Sequence, residues 1–191
     1  MNNVKVVIIR KAVLNDAEAI AECLLLAMED IVYLFIGEKN REKAKAFLLR
    51  FAEKENNQYS YQNCRVVEKD GKVVAAANVY DGARLKKLRA PILAYLKTEL
   101  NNALTPEDET QPGEYYIDSI GVRPGYQGTG VGTTLLQFLV DEYVVRGGNT
   151  LGLLVGESNP KAKRLYLKLG FKTVGTKIFM GKKMDHLQMR T

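Results

Sequence analysis

The sequence predicts a mixed α/β fold in which a sheet carries helices on both of its faces. Short apolar runs with strand character alternate with longer segments whose apolar residues recur at helical spacing. Asp70-Gly71 separates two of the short runs and is typical of a hairpin turn. A chain of 191 residues, of which 46% are hydrophobic, is long enough for one core and short for two, so we expect a single domain over residues 1–191.

The first part of the chain predicts one strand and two helices. The strand covers Val4 to Ile9, and Asn15 with Glu18 has the pattern of a capping box that opens the first helix. Glu29 to Gly37 breaks the helical pattern and separates the two helices. Their apolar faces are predicted to carry Ile20, Cys23, Leu24 and Ala27, and then Ala44, Phe47, Leu48 and Phe51.

The middle of the chain predicts a hairpin followed by an insertion. Residues 63–68 and 72–80 form the second and third strands around the Asp70-Gly71 turn. Residues 84–100 have helical period, although Pro91 must start, kink or divide that helix. Residues 101–113 contain prolines and acids and are predicted to be an exposed loop. The insertion, residues 84–113, would either cap a binding site or mediate a dimer contact.

The last part of the chain alternates strands and helices. The fourth strand covers residues 114–123, a helix covers 131–146 and ends at Gly147-Gly148, and the fifth strand covers 150–155. A short helix over residues 160–169 ends at Gly170, and final strands follow at 171–180 and 185–189.

Composition and charge argue against several classes of protein. The chain has no run of eighteen apolar residues, and its first ten residues lack the cleavage site of a signal peptide, so we expect a cytoplasmic protein without a membrane span. The net charge of +6 is spread along the chain, without the aromatic-basic stripe of a nucleic-acid binder. With His186 as the one histidine and Cys23 and Cys64 far apart, we expect no zinc site, no disulfide and no Ser/His/Asp triad.

A glycine-rich turn between Ile120 and Gly132 leads from a strand into a helix. Glycines let the backbone approach a ligand, and the first amides of a helix have no internal partner, so the turn suits an anion such as pyrophosphate. A Walker A loop would need a lysine where Gly132-Thr133-Thr134 has none, and the G-x-G-x-G spacing departs from the dinucleotide fingerprint. The third candidate is the pyrophosphate of CoA.

Two motifs resemble those of the GNAT N-acetyltransferase superfamily. The first is Gln127-x-x-Gly130-x-Gly132, preceded by Val122-x-Pro124, and the second is Asn159-x-x-Ala162-x-x-Leu165-Tyr166-x-x-x-Gly170-Phe171. The match covers Glu114 to Phe171, and the rest agrees in element order. The resemblance implies the GNAT fold, a mostly antiparallel sheet of six to seven strands with helices on both faces, splayed between the fourth and fifth strands.

The resemblance also implies acetyl-CoA as the cofactor, with its pantetheine arm between the splayed strands. The backbones of Ile120 and Val122 would bond this arm, and the amide of Ile120 would face the thioester oxygen. The remaining predicted cofactor residues are Gln127, Gly128, Thr129, Gly130, Val131, Gly132, Thr133, Asn159 and Lys161, with Lys163 as an alternative to Lys161.

Tyr166 matches the family tyrosine that protonates the leaving thiolate, although an aromatic that packs against the sheet is the alternative. An alkyl amine with a pKa of roughly 10.4 must lose a proton before it attacks, so a base is also expected. Some family members carry a glutamate at the position of Tyr116. Glu114 and Asp118 share a strand face with Tyr116, and either is the base or a structural group.

The segment between the first two helices usually walls the acceptor pocket of this fold. Glu29 and Asp30 would attract a cationic amine and Tyr33 and Phe35 would shape the pocket, unless these residues are a helix end and core. Tyr80 and Tyr116 are further candidates for the acceptor side.

The sequence therefore predicts acetyl transfer from acetyl-CoA to a primary amine of a small molecule. One alternative acceptor is a protein or peptide amine, which needs an open groove. Another alternative is an acyl-CoA-binding sensor without turnover, which the intact Tyr166 and glycine turn disfavour. The predicted partners include neither nucleic acid nor a membrane, and the chain is expected to be a monomer or homodimer.

Overall fold

The protein, seen in a computed structural model, is described over residues 7–191. The strands are β1 (Val7–Lys11), β2 (Cys64–Lys69), β3 (Lys72–Asp81), β4 (Tyr115–Val122), β5 (Leu151–Gly156), β6 (Lys172–Phe179) and β7 (Lys182–Met189). The helices are α1 (Ala17–Ile36), α2 (Arg41–Ala52), α3 (Leu85–Glu99), α4 (Val131–Leu139) and α5 (Pro160–Lys168), and a π-helical turn (Val140–Val145) continues α4. The part of the predicted first strand before Val7 lies outside the described residues.

The described strands form one sheet in the order β1-β2-β3-β4-β5-β7-β6. Neighbouring strands are antiparallel except β4 and β5, which run parallel. The parallel pair is short, because only residues 115–117 of β4 pair with residues 151–153 of β5. The predicted fold, including the separation of the fourth and fifth strands, is thereby confirmed.

Apolar side chains form a core on each face of the sheet. On one face α1 and α2 bury Ile20, Leu24 and Leu48, and on the other α4 buries Leu135 and Leu139. Burial of one such side chain contributes about 1.5–3 kcal/mol, so helices on both faces hold the sheet. Both cysteines are free and buried, as expected for reduced thiols.

The first helix is longer than predicted. Glu29 to Ile36 belongs to α1, which ends at Gly37 in the left-handed conformation, with φ 74°. The prediction that this segment lies between two helices is therefore wrong. The break in the sequence pattern coincides with a kink at Met28, where φ is −137°. Ala27, predicted to face inward, is exposed.

The predicted capping box at Asn15 and Glu18 is also wrong. Asp16 instead accepts a hydrogen bond from the amide of Val13 at 2.8 Å and forms an ion pair with Arg10 at 2.7 Å. Glu18 pairs with Lys45 of α2 at 3.1 Å. Arg10, six residues before Asp16, offers this carboxylate a charge-assisted partner, which is stronger than the hydrogen bonds of the predicted capping box.

The hairpin between β2 and β3 has the predicted turn, because Asp70 and Gly71 both have positive φ values of 52° and 73°. In the insertion, α3 runs through Pro91 as one helix. Pro91 and Lys87 are both exposed, so water can bond the carbonyl that the proline leaves free. The following loop is less exposed than predicted, because Pro106, Glu109 and Thr110 are buried.

Candidate functional site

The splay between β4 and β5 leaves backbone groups of β4 without a strand partner. Arg123 N bonds Val74 O of β3 at 2.9 Å, whereas Tyr115 N bonds Thr150 O beside β5 at 2.8 Å. Counting back from Arg123 by twos, the amides of Ser119 and Gly121 face β3, and those of Ile120 and Val122 face the gap. The structure therefore directs toward the gap the two amides predicted to bond a pantetheine arm.

A β-bulge at Asp118 places the side chains around this gap. Asn78 pairs with Ser119 while Val79 pairs with Ile117, so Asp118 is an extra residue in β4. As a result Ile117 and Ile120, three residues apart, both pack against the core under α4. The bulge turns Asp118 to the opposite face, where it meets the insertion.

The glycine turn offers a run of free amides beside the open end of the splay. Gly125, Gly128 and Gly130 have positive φ values of 87°, 73° and 89°. Thr134 N bonds Gly130 O at 2.9 Å, and no backbone hydrogen bond within the described chain uses the amides of residues 127–133. A Cβ atom at Gly128 or Gly130 would meet nothing within 4 Å, so the space above these amides is open.

The side chains of the turn stabilise it rather than block it. Gln127 Nε2 donates to Val122 O at 3.0 Å, and Thr129 Oγ1 donates to Tyr126 O at 2.6 Å. A Cβ atom at Gly132 would lie 3.3 Å from Val122, so a glycine lets α4 start close to β4. Free amides, open space and the positive end of the α4 dipole together fit a pyrophosphate.

The start of α5 lies across the splay on the β5 side. Asn159 caps the helix, with its side chain accepting from Ala162 N at 3.2 Å. Lys161 is exposed, whereas Lys163 donates to Asp185 of β7 at 2.7 Å. Lys161 is thus the more available of the two lysines named for the outer phosphates.

Tyr166 is half-buried on α5 and its ring lies 6.0 Å from that of Phe171. Its hydroxyl forms no hydrogen bond with any residue in the described range. Burial raises the pKa of Tyr166, so the hydroxyl stays protonated at neutral pH. A tyrosine with a protonated, unengaged hydroxyl has the form that a general acid needs.

The two carboxylates predicted as base candidates have different surroundings. Glu114 is held by Thr110 at 2.7 Å, by Gln188 at 2.7 Å and by His186 Nε2 at 2.9 Å. Burial alone would raise the pKa of Glu114, but these hydrogen bonds hold it below its usual value. A fully buried carboxylate with three partners cannot reach an amine, so the structure contradicts the prediction of Glu114 as a base.

Asp118 is half-buried and accepts from Gln58 Nε2 at 2.8 Å and from Tyr80 OH at 3.1 Å. Burial raises its pKa, although both hydrogen bonds and the positive charge of Arg89 oppose the rise. A carboxyl group with a raised pKa beside an opening in the sheet has the properties of a general base.

Sequence reasoning missed three members of the Asp118 surroundings: Gln58, Arg89 and Glu109. Glu109 is 1% exposed, accepts from Gln58 and Tyr80 at 2.9 Å each and pairs with Arg89. Arg89 falls at the inward spacing of Leu85, Leu88, Ile92 and Leu96, which is the signal that would have found it. No comparable signal marks Glu109, because it sits in a loop.

Of the residues predicted to line the acceptor side, some are buried and others are accessible to solvent. Phe35 is 4% exposed and its ring centroid lies 5.9 Å from that of Phe47, which supports the alternative that it belongs to the core. Glu29 pairs with Arg41, while Asp30 is exposed and Tyr33 half-buried on the same helix. Tyr80 and Tyr116 are buried, with ring centroids 5.9 Å apart beside Asp118.

The loop of the insertion joins α1 to the hairpin of β6 and β7. Asn102 donates to Phe35 O at 2.8 Å at one end, and Glu107 accepts from Met180 N at 2.8 Å at the other. Gln111 also accepts from Lys177 at 3.3 Å. The loop thus bridges the side of the sheet on which Asp118 lies.

Residues 7–191 contain neither a metal-binding cluster nor a membrane-spanning helix. No group of three or more His, Cys, Asp or Glu side chains among these residues is arranged to hold a metal ion. None of the described helices combines the length and apolar character needed to cross a membrane.

Residues 25–171 match the acetyltransferase (GNAT) family. The chain is 46% identical over 66 residues to the N-alpha-acetyltransferase RimI of Mycobacterium tuberculosis, covering 35% of this chain and 40% of that protein. It is 49% identical over 58 residues to a ribosomal protein bS18-alanine N-acetyltransferase of Escherichia coli, covering 30% of this chain and 39% of that protein. These matches span about two fifths of the curated relatives.

Solved structures resemble the whole chain. One, described as an acetyltransferase, has a TM-score of 0.79 and 31% identity, and covers 96% of this chain and 98% of its own. An N-acetyltransferase from Staphylococcus aureus has a TM-score of 0.83 at 22% identity, covering 95% and 100%. A PaiA N-acetyltransferase from Thermoplasma acidophilum, in complex with coenzyme A, has a TM-score of 0.56 at 14% identity. It covers 97% of this chain and 99% of its own. The last two show the fold alone.

Proposed function

The chain belongs to the acetyltransferase (GNAT) family, and we propose that it transfers an acetyl group from acetyl-CoA to a primary amine by direct attack in a ternary complex. The observation that carries this proposal is the run of free amides at residues 127–133, beside the open end of the splay between β4 and β5. A ligand with an anionic head and an extended arm fits both features, because the head suits the free amides and the arm suits the splay.

Acetyl-CoA, when bound, supplies the acetyl group as a thioester. The amides of the glycine turn would bond its pyrophosphate, with Lys161 near the outer phosphates and Asn159 at a pantetheine amide. The amides of Ile120 and Val122 face the gap and would bond the arm as an added strand does. The Ile120 amide is also the donor proposed to stabilise the developing oxyanion.

We assign Tyr166 the role of general acid. Its hydroxyl is protonated, because burial raises its pKa, and it forms no hydrogen bond within the described chain. It would give its proton to the leaving thiolate, which needs only modest help at a thiol pKa of roughly 8.5.

We assign Asp118 the role of general base. It is half-buried at the bulge of β4, whereas Glu114 is enclosed by its partners. The attacking amine would pass a proton to Asp118, directly or through water. Because burial raises the pKa of Asp118, the rate should fall as pH drops through that raised value, where Asp118 gains a proton.

The proposed acceptor is a small amine, supported by the loop that bridges α1 and the β6–β7 hairpin. A loop that is bonded at both ends across the Asp118 side of the sheet suits a small substrate better than a long chain. A peptide or protein amine is the second candidate, because curated relatives are named for N-terminal and alanine acetylation.

Titration calorimetry of acetyl-CoA, followed by free-thiol release across an amine panel, tests the proposal. The panel holds polyamines, amino acids, aminoglycosides and short peptides. Thiol release with one class identifies the acceptor, and release with peptides alone would overturn the small-amine proposal. Binding without release on any amine would favour an acyl-CoA sensor, and no binding would contradict the proposed site.

A further inference from the structure

Five polar side chains meet beneath the insertion, and each comes from a different part of the chain. They are Gln58 before β2, Tyr80 of β3, Arg89 of α3, Glu109 of the insertion loop and Asp118 of β4. Four of them are buried, with 6% exposure or less, and only Asp118 is half-buried. The cluster therefore opens to the outside at Asp118 alone.

Two carboxylates in this cluster share the same donors. Gln58 Nε2 lies 2.9 Å from Glu109 Oε1 and 2.8 Å from Asp118 Oδ2, so one amide hydrogen serves each carboxylate. Tyr80 OH lies 2.9 Å from Glu109 and 3.1 Å from Asp118. A hydroxyl has one hydrogen, so Tyr80 donates to one carboxylate at a time.

The hydroxyl of Tyr80 can thus take two positions. While Asp118 is ionised, Tyr80 donates to it. When Asp118 carries a proton, Asp118 donates to the oxygen of Tyr80, and Tyr80 turns its own hydrogen to Glu109. Both protonation states of Asp118 are then fully hydrogen-bonded, so that neither leaves a buried polar group unsatisfied.

We propose that Glu109 is a positioning residue for the general base: it accepts the hydroxyl hydrogen of Tyr80 whenever Asp118 has taken a proton from the amine. The inference rests on the proposed function. In this step the N–H bond of the amine breaks and an O–H bond forms on Asp118, which later returns the proton to solvent. The insertion thereby contributes to chemistry through Glu109 and does more than cover the site.

The charged groups that face Asp118 are few. On the insertion side Arg89 forms ion pairs with buried Glu109 and, at 3.6 Å, with exposed Asp108. The other titratable neighbours are Tyr59, Cys64, Tyr80 and Tyr116, whose pKa values are all raised by burial, so they stay neutral around pH 7. Removal of the charge of Glu109 therefore leaves Arg89 with exposed Asp108 as its acidic partner, and the net charge near Asp118 becomes more positive.

The test is the pH profile of acetyl transfer in Glu109→Gln, measured with saturating acetyl-CoA. Loss of the like charge of Glu109, with Arg89 left only its exposed pair with Asp108, favours ionised Asp118, so the acid limb of the profile should move to lower pH by about one unit. The plateau rate should fall on the order of tenfold, because a weaker base remains. Glu99→Gln, an exposed change on the same insertion, is the control and should match the wild type.

A second variant keeps the proposal testable if Glu109→Gln folds poorly. Tyr80→Phe leaves the pair of Arg89 and Glu109 in place and removes a charge-assisted donor to Asp118. Its acid limb should move to higher pH, opposite to that of Glu109→Gln. The proposal would be overturned if the acid limb of the pH profile stayed at the wild-type pH in both variants, or if it moved in the same direction in both.

Carbon NMR of the aspartate carboxyl groups separates this inference from the proposed function, since it needs no turnover. Asp118→Asn assigns the Asp118 signal. In Glu109→Gln that signal should titrate at lower pH than in the wild type, even if no amine on the panel is acetylated. Titration at the wild-type pH would show that Glu109 does not act on Asp118, while thiol release by the wild type would leave the proposed function intact.

Discussion

At the scale of single residues, Tyr166 carries the most specific expectation. Tyr166→Phe removes the proposed acid and keeps the ring that packs against Phe171. We expect the rate of the chemical step to fall about 100-fold, while the affinity for acetyl-CoA, measured by calorimetry, stays near that of the wild type. Tyr61→Phe is the matched control, since that hydroxyl bonds exposed Glu55. A wild-type rate with chemistry limiting would remove Tyr166 from the mechanism.

Asp16 carries an expectation about stability and pH. Burial alone would raise its pKa, but hydrogen bonds from Arg10 and Val13 hold it below the usual range. A lowered pKa stabilises the fold above the unfolded value of about 3.9, and this contribution is lost as pH falls through the folded value.

Asp16→Asn should therefore lower the free energy of unfolding at pH 7 by about 2 kcal/mol, as measured by urea denaturation. The difference in free energy of unfolding between Asp16→Asn and the wild type should become smaller below about pH 4. Asp30→Asn, a change at an exposed position in α1, should leave stability nearly unchanged. A difference in free energy of unfolding that stays constant down to pH 2 would contradict this role of the Asp16 charge.

The sequence was informative about residues whose role depends on local spacing. The glycines at 128 and 130 could be placed because a left-handed turn before a helix requires them. Glu109 and Gln58 could not, because their partners are 20 to 60 positions away along the chain. Such contacts depend on the tertiary fold and leave no periodic pattern.

At the scale of elements, the close approach of β4 and α1 depends on Gly121. A Cβ atom built there would lie 1.7 Å from the carbonyl oxygen of Cys23, so no side chain fits without movement of α1 or β4. Gly121→Ala should lower the free energy of unfolding by about 3 kcal/mol. Gly175→Ala is the control, because its Cβ would meet nothing within 4 Å on edge strand β6.

Thermal or urea unfolding of the two alanine variants checks this expectation. Gly175→Ala should differ from the wild type by about 0.5 kcal/mol or less. Equal stabilities for the two variants would mean that the contact between Gly121 and Cys23 is not a tight one. Because Gly121 lies directly after Ile120, a loss of acetyl-CoA affinity in Gly121→Ala would also be expected.

The elements were predictable where the apolar period is unbroken, as in α4 and in the β2–β3 hairpin. They were mispredicted where tertiary contacts intervene. The kink at Met28 interrupts the pattern of α1 without ending the helix. The insertion loop was expected to be exposed, yet Thr110 is buried where it bonds Glu114. Glu109 is buried among Gln58, Tyr80 and Arg89.

At the scale of the whole molecule, the sheet is built so that one end of β4 is clamped and the other is open. At the clamped end Glu114 joins β4 to His186 and Gln188 of β7 across Gly152 of β5, where a Cβ atom would lie 2.0 Å from the carboxylate. At the open end the strands separate beside the glycine turn. The order of elements predicted this architecture, whereas the clamp was visible only in the structure.

The central claim is that the glycine turn beside the splay binds acetyl-CoA, and its most direct test is calorimetric titration of acetyl-CoA into the wild type and Gly130→Glu. The variant places a side chain and a negative charge in the open space above the free amides. Gly148→Glu, at a glycine with positive φ and open space beyond the opposite end of α4 and its π-helical turn, controls for backbone strain.

We predict that the wild type and Gly148→Glu bind acetyl-CoA alike, and that Gly130→Glu binds at least about tenfold more weakly, a loss of about 1.4 kcal/mol. Equal affinity of all three proteins would contradict the assignment of residues 127–133 to the cofactor.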